Sequence, residues 1–172
     1  GISSPTIVRL PGQTQRVKNS DVLAHVSDLA PTILELAGVK PPQGEYAGRK
    51  VRPMTGISLM SASRAEKTPT SYESRVLTGE LFGGRYVRDR QWKLVSFRAP
   101  FSDNRWELYD VSSDRAETRN LAQSRPEVVS KMTAYFESYA SEVGLVLDLS
   151  PMPNVQWGAE GPGLLGAGGR AH

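Results

Sequence analysis

Cysteine is absent from all 172 residues. That excludes disulfides, thiolate metal sites and a cysteine nucleophile, and it removes redox usage as a guide to compartment. No run of eighteen apolar residues occurs, so no stretch is long enough to cross a membrane as a helix. A large charge of either sign is missing too. The net charge of +3 does not by itself call for nucleic acid or an anionic membrane as partner. The chain opens Gly1-Ile2-Ser3-Ser4-Pro5 without methionine. This reads as a cut inside a longer protein, so the missing leader says nothing about secretion and the compartment stays open.

What is present fits a soluble globular chain, with 38% hydrophobic and 23% charged residues. The length suits one ordinary domain with a real core. Sixteen Gly and twelve Pro gather in loops and in the tail. Residues 6–10 are β-branched and apolar and run into Pro11-Gly12, the pattern of a strand ending in a turn. A polar stretch at 13–19 leads to a helix signal. Asp28 is placed to cap it, Pro31 sits in its first turn and Gly38 at its C′ position. Leu29, Ile33, Leu34 and Ala37 share one face of that helix. Residues 41–73 are rich in Pro and Gly with little periodicity. They read as a linker with one buried anchor at Ile57, Leu59 and Met60.

From Ser74 the pattern turns to strands, at 75–82, 85–88, 92–97 and 106–111, with a turn signal at Gly83-Gly84 and another at Asp89-Arg90. They predict an antiparallel meander with one face wet and the other covered by the next helix. Ser124-Arg125-Pro126-Glu127 reads as a capping box with Pro at the helix start. Val128, Met132, Tyr135, Phe136, Tyr139 and Val143 then form an apolar stripe that Gly144 ends. Residues 145–172 read as an extended strap followed by disorder.

Three stretches, in order, resemble the sulfatase family of the arylsulfatase type, within the alkaline-phosphatase-like superfamily. They are Gly1-Ile2-Ser3-Ser4-Pro5 with its apolar run and Pro11-Gly12; His25 to Gly38 with its Asp-Leu-Ala-Pro-Thr helix start; and a set of C-terminal motifs. The last set comprises Glu80 to Arg88, Trp92-Lys93-Leu94, and Glu107-Leu108-Tyr109-Asp110 through Glu117, Asn120 and Leu121. The resemblance implies an α/β architecture seen here as an α+β fragment. Its parts would be the final strand and helix of the core at 1–40, a linker at 41–73, and a four-stranded antiparallel sheet with a C-terminal helix at 74–144. A tail at 145–172 would follow.

The resemblance also implies hydrolysis of sulfuric esters, with aryl sulfate as the default substrate, at a calcium site beside a formylglycine nucleophile. Residues for that chemistry are missing from this chain. Ser3-Ser4-Pro5-Thr6-Ile7 has Ile where the formylglycine motif needs Arg. The family's metal ligands and sulfate-binding Lys and His fall before the matched region, so no catalytic and no metal residue is assigned. Asp103-Asn104 resembles a ligand pair but lies in a loop of the small sheet.

Among the remaining candidates, His25 precedes a helix start and reads as a helix-entry hydrogen-bonding residue, while His172 is terminal. The arginines at 85, 88, 90 and 98, with Lys93 and the aromatics Tyr86, Trp92 and Phe97, could be drawn as a nucleic-acid surface. The plainer reading is a hairpin whose aromatics cover the core and whose cations face water. Glu80 and Arg98 are the two substrate-rim candidates. The chain is thus expected to brace a sulfatase core and shape its cleft without its own nucleophile, partnered by the missing N-terminal part and not by nucleic acid or membrane. The alternatives are a phosphonate or phosphate monoester hydrolase of the same superfamily and a non-catalytic binding or scaffold module.

Overall fold

A computed structural model describes residues 4–9, 22–64 and 70–150. The expectations for Leu10 through 21, for the tail beyond 150 and for His172 lie outside the described residues. The chain divides into two compact units, Gly1–Arg75 and Val76–His172.

In the first unit, residues 4–9 have no regular secondary structure and are exposed, so the expected strand is not formed within them. A strand is held by its neighbours' ladder bonds, and no neighbouring strand lies beside it among the described residues. A 3-10 turn at Val26–Asp28 runs into helix α1, Leu29–Leu36. Gly38 follows at φ +69°, the left-handed geometry that ends a helix. The span read as a linker builds structure of its own. Strands β1 (Glu45–Tyr46) and β2 (Arg49–Lys50) pair across an Ala47-Gly48 turn with both φ positive, and short helices α2 (Leu59–Arg64) and α3 (Thr70–Glu73) follow.

The apolar stripe of α1 does not face inward. Ile33 is 64% exposed and Leu29 45%, while Pro31 and Thr32 on another face are buried. The inward face is set by polar bonding: the Thr32 hydroxyl donates to the Asp28 carbonyl at 2.5 Å and accepts from the Leu59 amide at 2.9 Å.

The second unit is the expected meander. Strands β3 (Leu77–Leu81), β4 (Gly84–Arg88), β5 (Trp92–Ser96) and β6 (Glu107–Asp110) pair antiparallel in sequence order. Helix α4, Pro126–Val143, covers one face. Val87, Leu94, Leu108, Met132 and Phe136 form its dry core, flanked by Trp92, Trp106, Val128 and Tyr139. Tyr135 and Val143 stay on the exposed side of the stripe, and Val129 and Ala140 pack in their place.

Two local expectations need correction. The first hairpin turn is Phe82-Gly83, at φ +52° and +81°, with Gly84 already paired to Leu81 in the ladder. Positive φ at both central residues is the twist-matched two-residue turn. The capping box at Ser124 is not made. Arg125 is the N-cap without a side-chain cap, and the Ser124 hydroxyl donates backwards to the Leu121 carbonyl.

Candidate functional site

The strongest polar assembly of the first unit centres on Asp28, whose side chain is fully buried. It does not cap α1 as expected. Its Oδ2 accepts from the His25 amide at 2.7 Å and from Arg75 Nη1 at 2.6 Å; its Oδ1 accepts from the Ile57 amide at 2.9 Å and Arg75 Nη2 at 2.7 Å. Burial alone would raise this carboxyl's pKa. The Arg75 hydrogen bond, then the Ile57 and His25 amides, outweigh it and hold the group below its ordinary value. Arg75 Nη1 also donates to the Leu23 carbonyl, and the Tyr72 hydroxyl bonds the carbonyls of Ile57 and Ser58. His25 takes the helix-entry role read from sequence, with Nδ1 accepting from the Ser27 amide at 3.2 Å. Every carboxylate lone pair is committed, so this is a structural knot and not a reactive site.

In the second unit the structure brings Glu80 and Arg98 to one point, the β3–β4 turn. Glu80 Oε1 accepts from the Gly83 amide at 2.6 Å. The Arg98 side chain lies so close to Gly83 that a Cβ there would sit 2.6 Å from its Cδ. Arg98 Nη1 donates to the carbonyls of Asp148 and Ser150 at 3.1 and 3.2 Å, tying down the strap. Around this turn Leu81, Phe82, Phe97 and Phe101 are exposed, at 70%, 71%, 46% and 62%. Both rim candidates therefore brace backbone, and the groups that face solvent are apolar.

The Asp103-Asn104 loop holds no metal geometry. Asp103 pairs with Arg105 at 2.6 Å. Asn104, at φ +65°, gives its carbonyl to Arg85 Nη2 and to the Ser96 hydroxyl. Among the described residues no group of three or more His, Asp or Glu side chains could hold a metal ion. Near the start of the chain, Ile7 is 93% exposed at the position where formylglycine chemistry needs an arginine. Among the described residues no set of side chains fits a calcium ion.

Sequence reasoning missed two features of the sheet. The cations of the meander do not all face water. Arg85 lies on the α4 side with its guanidinium 4.4 Å from the Trp106 ring centroid, and burial lowers its pKa. Lys93, on the opposite face, is 8% exposed and paired with Glu117. Alternation along β4 and β5 could have separated these faces, since Arg85 and Arg88 differ by an odd number of positions.

The comparisons with known proteins agree with one another. Residues 1–141 match the family model described as N-sulphoglucosamine sulphohydrolase, C-terminal. An uncharacterized sulfatase of Schizosaccharomyces pombe is 34% identical over 146 residues, covering 85% of this chain and 26% of the relative. Human N-sulphoglucosamine sulphohydrolase is 27% identical over 164 residues, covering 71% of this chain and 33% of the relative. A solved 2-O GAG sulfatase superposes with a TM-score of 0.50 at 28% identity, over 72% of this chain and 27% of that one. The chain thus spans about a quarter to a third of the relatives it matches.

Proposed function

The chain belongs to the sulfatase family as a C-terminal region, and from that premise we propose that the protein carrying it is a sulfuric ester hydrolase acting on sulfated saccharides. To aryl sulfate, the default expected from the motifs, we add a sulfated amino sugar, because the matched family and the human relative bear that name. The role of these residues is to brace the catalytic part and to shape the rim of its cleft. One observation carries that role: Val26, Leu29, Ile33, Leu36 and Val39 leave an apolar surface open along α1, each at least 45% exposed. A soluble protein rarely leaves so much apolar area uncovered. The part of the relatives' length that this chain does not match would supply the cover, together with calcium and formylglycine.

Glu80 and Arg98 serve the rim indirectly, by fixing the Phe82-Gly83 turn and the strap at 148–150. The test is release of inorganic sulfate from N-sulfated and O-sulfated glucosamine. The longer polypeptide that includes this chain should release it in the presence of calcium, and the 172-residue chain alone should not. Turnover by the 172 residues alone would defeat the bracing role. Turnover of phosphate or phosphonate esters in preference to sulfate esters would defeat the assignment of substrate.

A further inference from the structure

The face of the sheet turned away from α4 has a composition that packing within the unit does not explain. Register places Leu77, Arg88, Lys93 and Tyr109 in one cross-strand row, Gly79, Tyr86, Val95 and Glu107 in the next, and Leu81 and Gly84 in a third that Phe97 continues. Two of these positions are glycine, a residue that weakens a strand interior. Each lies under an aromatic ring. A Cβ at Gly79 would sit 2.6 Å from Tyr86 Cε1, and one at Gly84 would sit 3.2 Å from Phe97 Cδ1. The rings of Tyr86 and Phe97 therefore rest against bare backbone, two residues apart along the face.

Beside them stands an uncompensated cation. Arg88 and Lys93 are direct cross-strand partners, an arrangement that repels. Lys93 is neutralised by Glu117, and Glu107 is engaged by the Tyr109 hydroxyl at 2.7 Å. Arg88 has no hydrogen-bond or ion-pair partner among the described residues, and its Nε is buried without an acceptor. Its remaining donors are free to take an oxyanion, and such charge-assisted bonds are the strong ones.

We propose that this face is an accessory binding surface for an anionic saccharide, with a sulfate or carboxylate group on Arg88 and sugar rings against Tyr86 and Phe97. This rests on the sulfated-saccharide reading above and extends it, since the surface carries no reacting group and serves to hold chain beyond the cleaved ester. The aromatic faces suit the C–H edges of pyranose rings, and Arg88 supplies the preference for charge. The surface continues to the exposed Leu81 and Phe82 of the rim.

The test uses the 172-residue chain titrated by NMR with a heparin-derived tetrasaccharide and with the same tetrasaccharide after chemical desulfation. Shifts should concentrate at residues 84–88 and 93–97, and the desulfated probe should bind at least roughly tenfold more weakly. Arg88→Gln should weaken binding of the sulfated probe roughly tenfold. Phe97→Ser, at a half-exposed ring that does not belong to the core, should weaken both probes alike. Lys131→Gln, on the exposed side of α4 across the sheet from the face, should change neither. Equal binding by wild type and Arg88→Gln would overturn the proposal, as would shifts confined to other residues. So would protection of the face from solvent in the longer protein, because that would make it an internal interface. Sulfate release by the longer protein is read separately, so failure of this surface and failure of the sulfatase reading are distinguishable.

Discussion

The two units hold themselves together by different balances of apolar and polar burial. The second buries Phe136, Met132, Leu108 and Leu94 in a dry layer between sheet and helix. The first buries a carboxylate, a guanidinium and a threonine beside Tyr72 and Met60, and leaves the apolar side of its helix outside. Apolar burial is non-directional and stabilises a unit by itself. A buried ion pair contributes little net stability and much geometric definition, since its desolvation nearly offsets its attraction. The comparison teaches that the first unit is built for placement and the second for standing alone.

The comparison can be broken at several points. Phe136→Ala should cost about 3–5 kcal/mol, read as a lowered denaturant midpoint, with loss of amide protection confined to 76–150. Asp28→Asn leaves the Arg75 cation buried without its counter-charge and should cost about 3–5 kcal/mol. That loss should appear as exchange of the amides of His25 and Ile57 while the sheet stays protected. If both substitutions unfold the whole chain in one transition, the division into independent units fails.

The same carboxylate gives the first unit a pH signature. Its folded pKa lies below the unfolded value of about 3.9. The stability it contributes is therefore complete above about pH 4 and is lost as pH falls below that. Asp28→Asn should remove this acid-induced step from hydrogen exchange at His25 and Ile57. Gly56→Ala should cost about 1–3 kcal/mol, because the new Cβ would lie 2.0 Å from the Ser27 carbonyl oxygen. Smallest of all, Ile33→Ser on the open face of α1 should change the stability of this chain by less than about 0.5 kcal/mol. A larger loss in the 172 residues would mean that the face is already covered within them.

The difference between the units also marks what the sequence made legible. The meander and α4 follow from local patterns: short β-rich runs, two-residue turns, a 3.6-residue stripe and Gly144 at φ +67°. Such signals span a few residues and survive without knowledge of the fold. The family resemblance was legible in the same way, from motifs in order. The Asp28–Arg75 pair was not, because its members stand 47 positions apart and nothing local couples them. Asp28 looked like a helix cap, since Asp before a helix usually is one. The stripe on α1 was read correctly as a pattern, but periodicity cannot say whether the surface that covers it lies in the same unit. The stacking of Arg85 on Trp106 escaped for another reason, since arginine in an amphipathic strand is assigned to water by default.

The distance along the chain between Asp28 and Arg75 has a consequence for how the protein is made. During synthesis the carboxylate emerges 47 residues ahead of the guanidinium that completes it. At a translation rate of about 5–20 residues per second, the interval is roughly 2 to 10 s. Throughout that time the eight residues of α1 lack the anchor that fixes them, and a helix that short is marginal on its own. The nascent first unit is thus a late-closing clasp, fastened by its last residue just as β3 begins to appear.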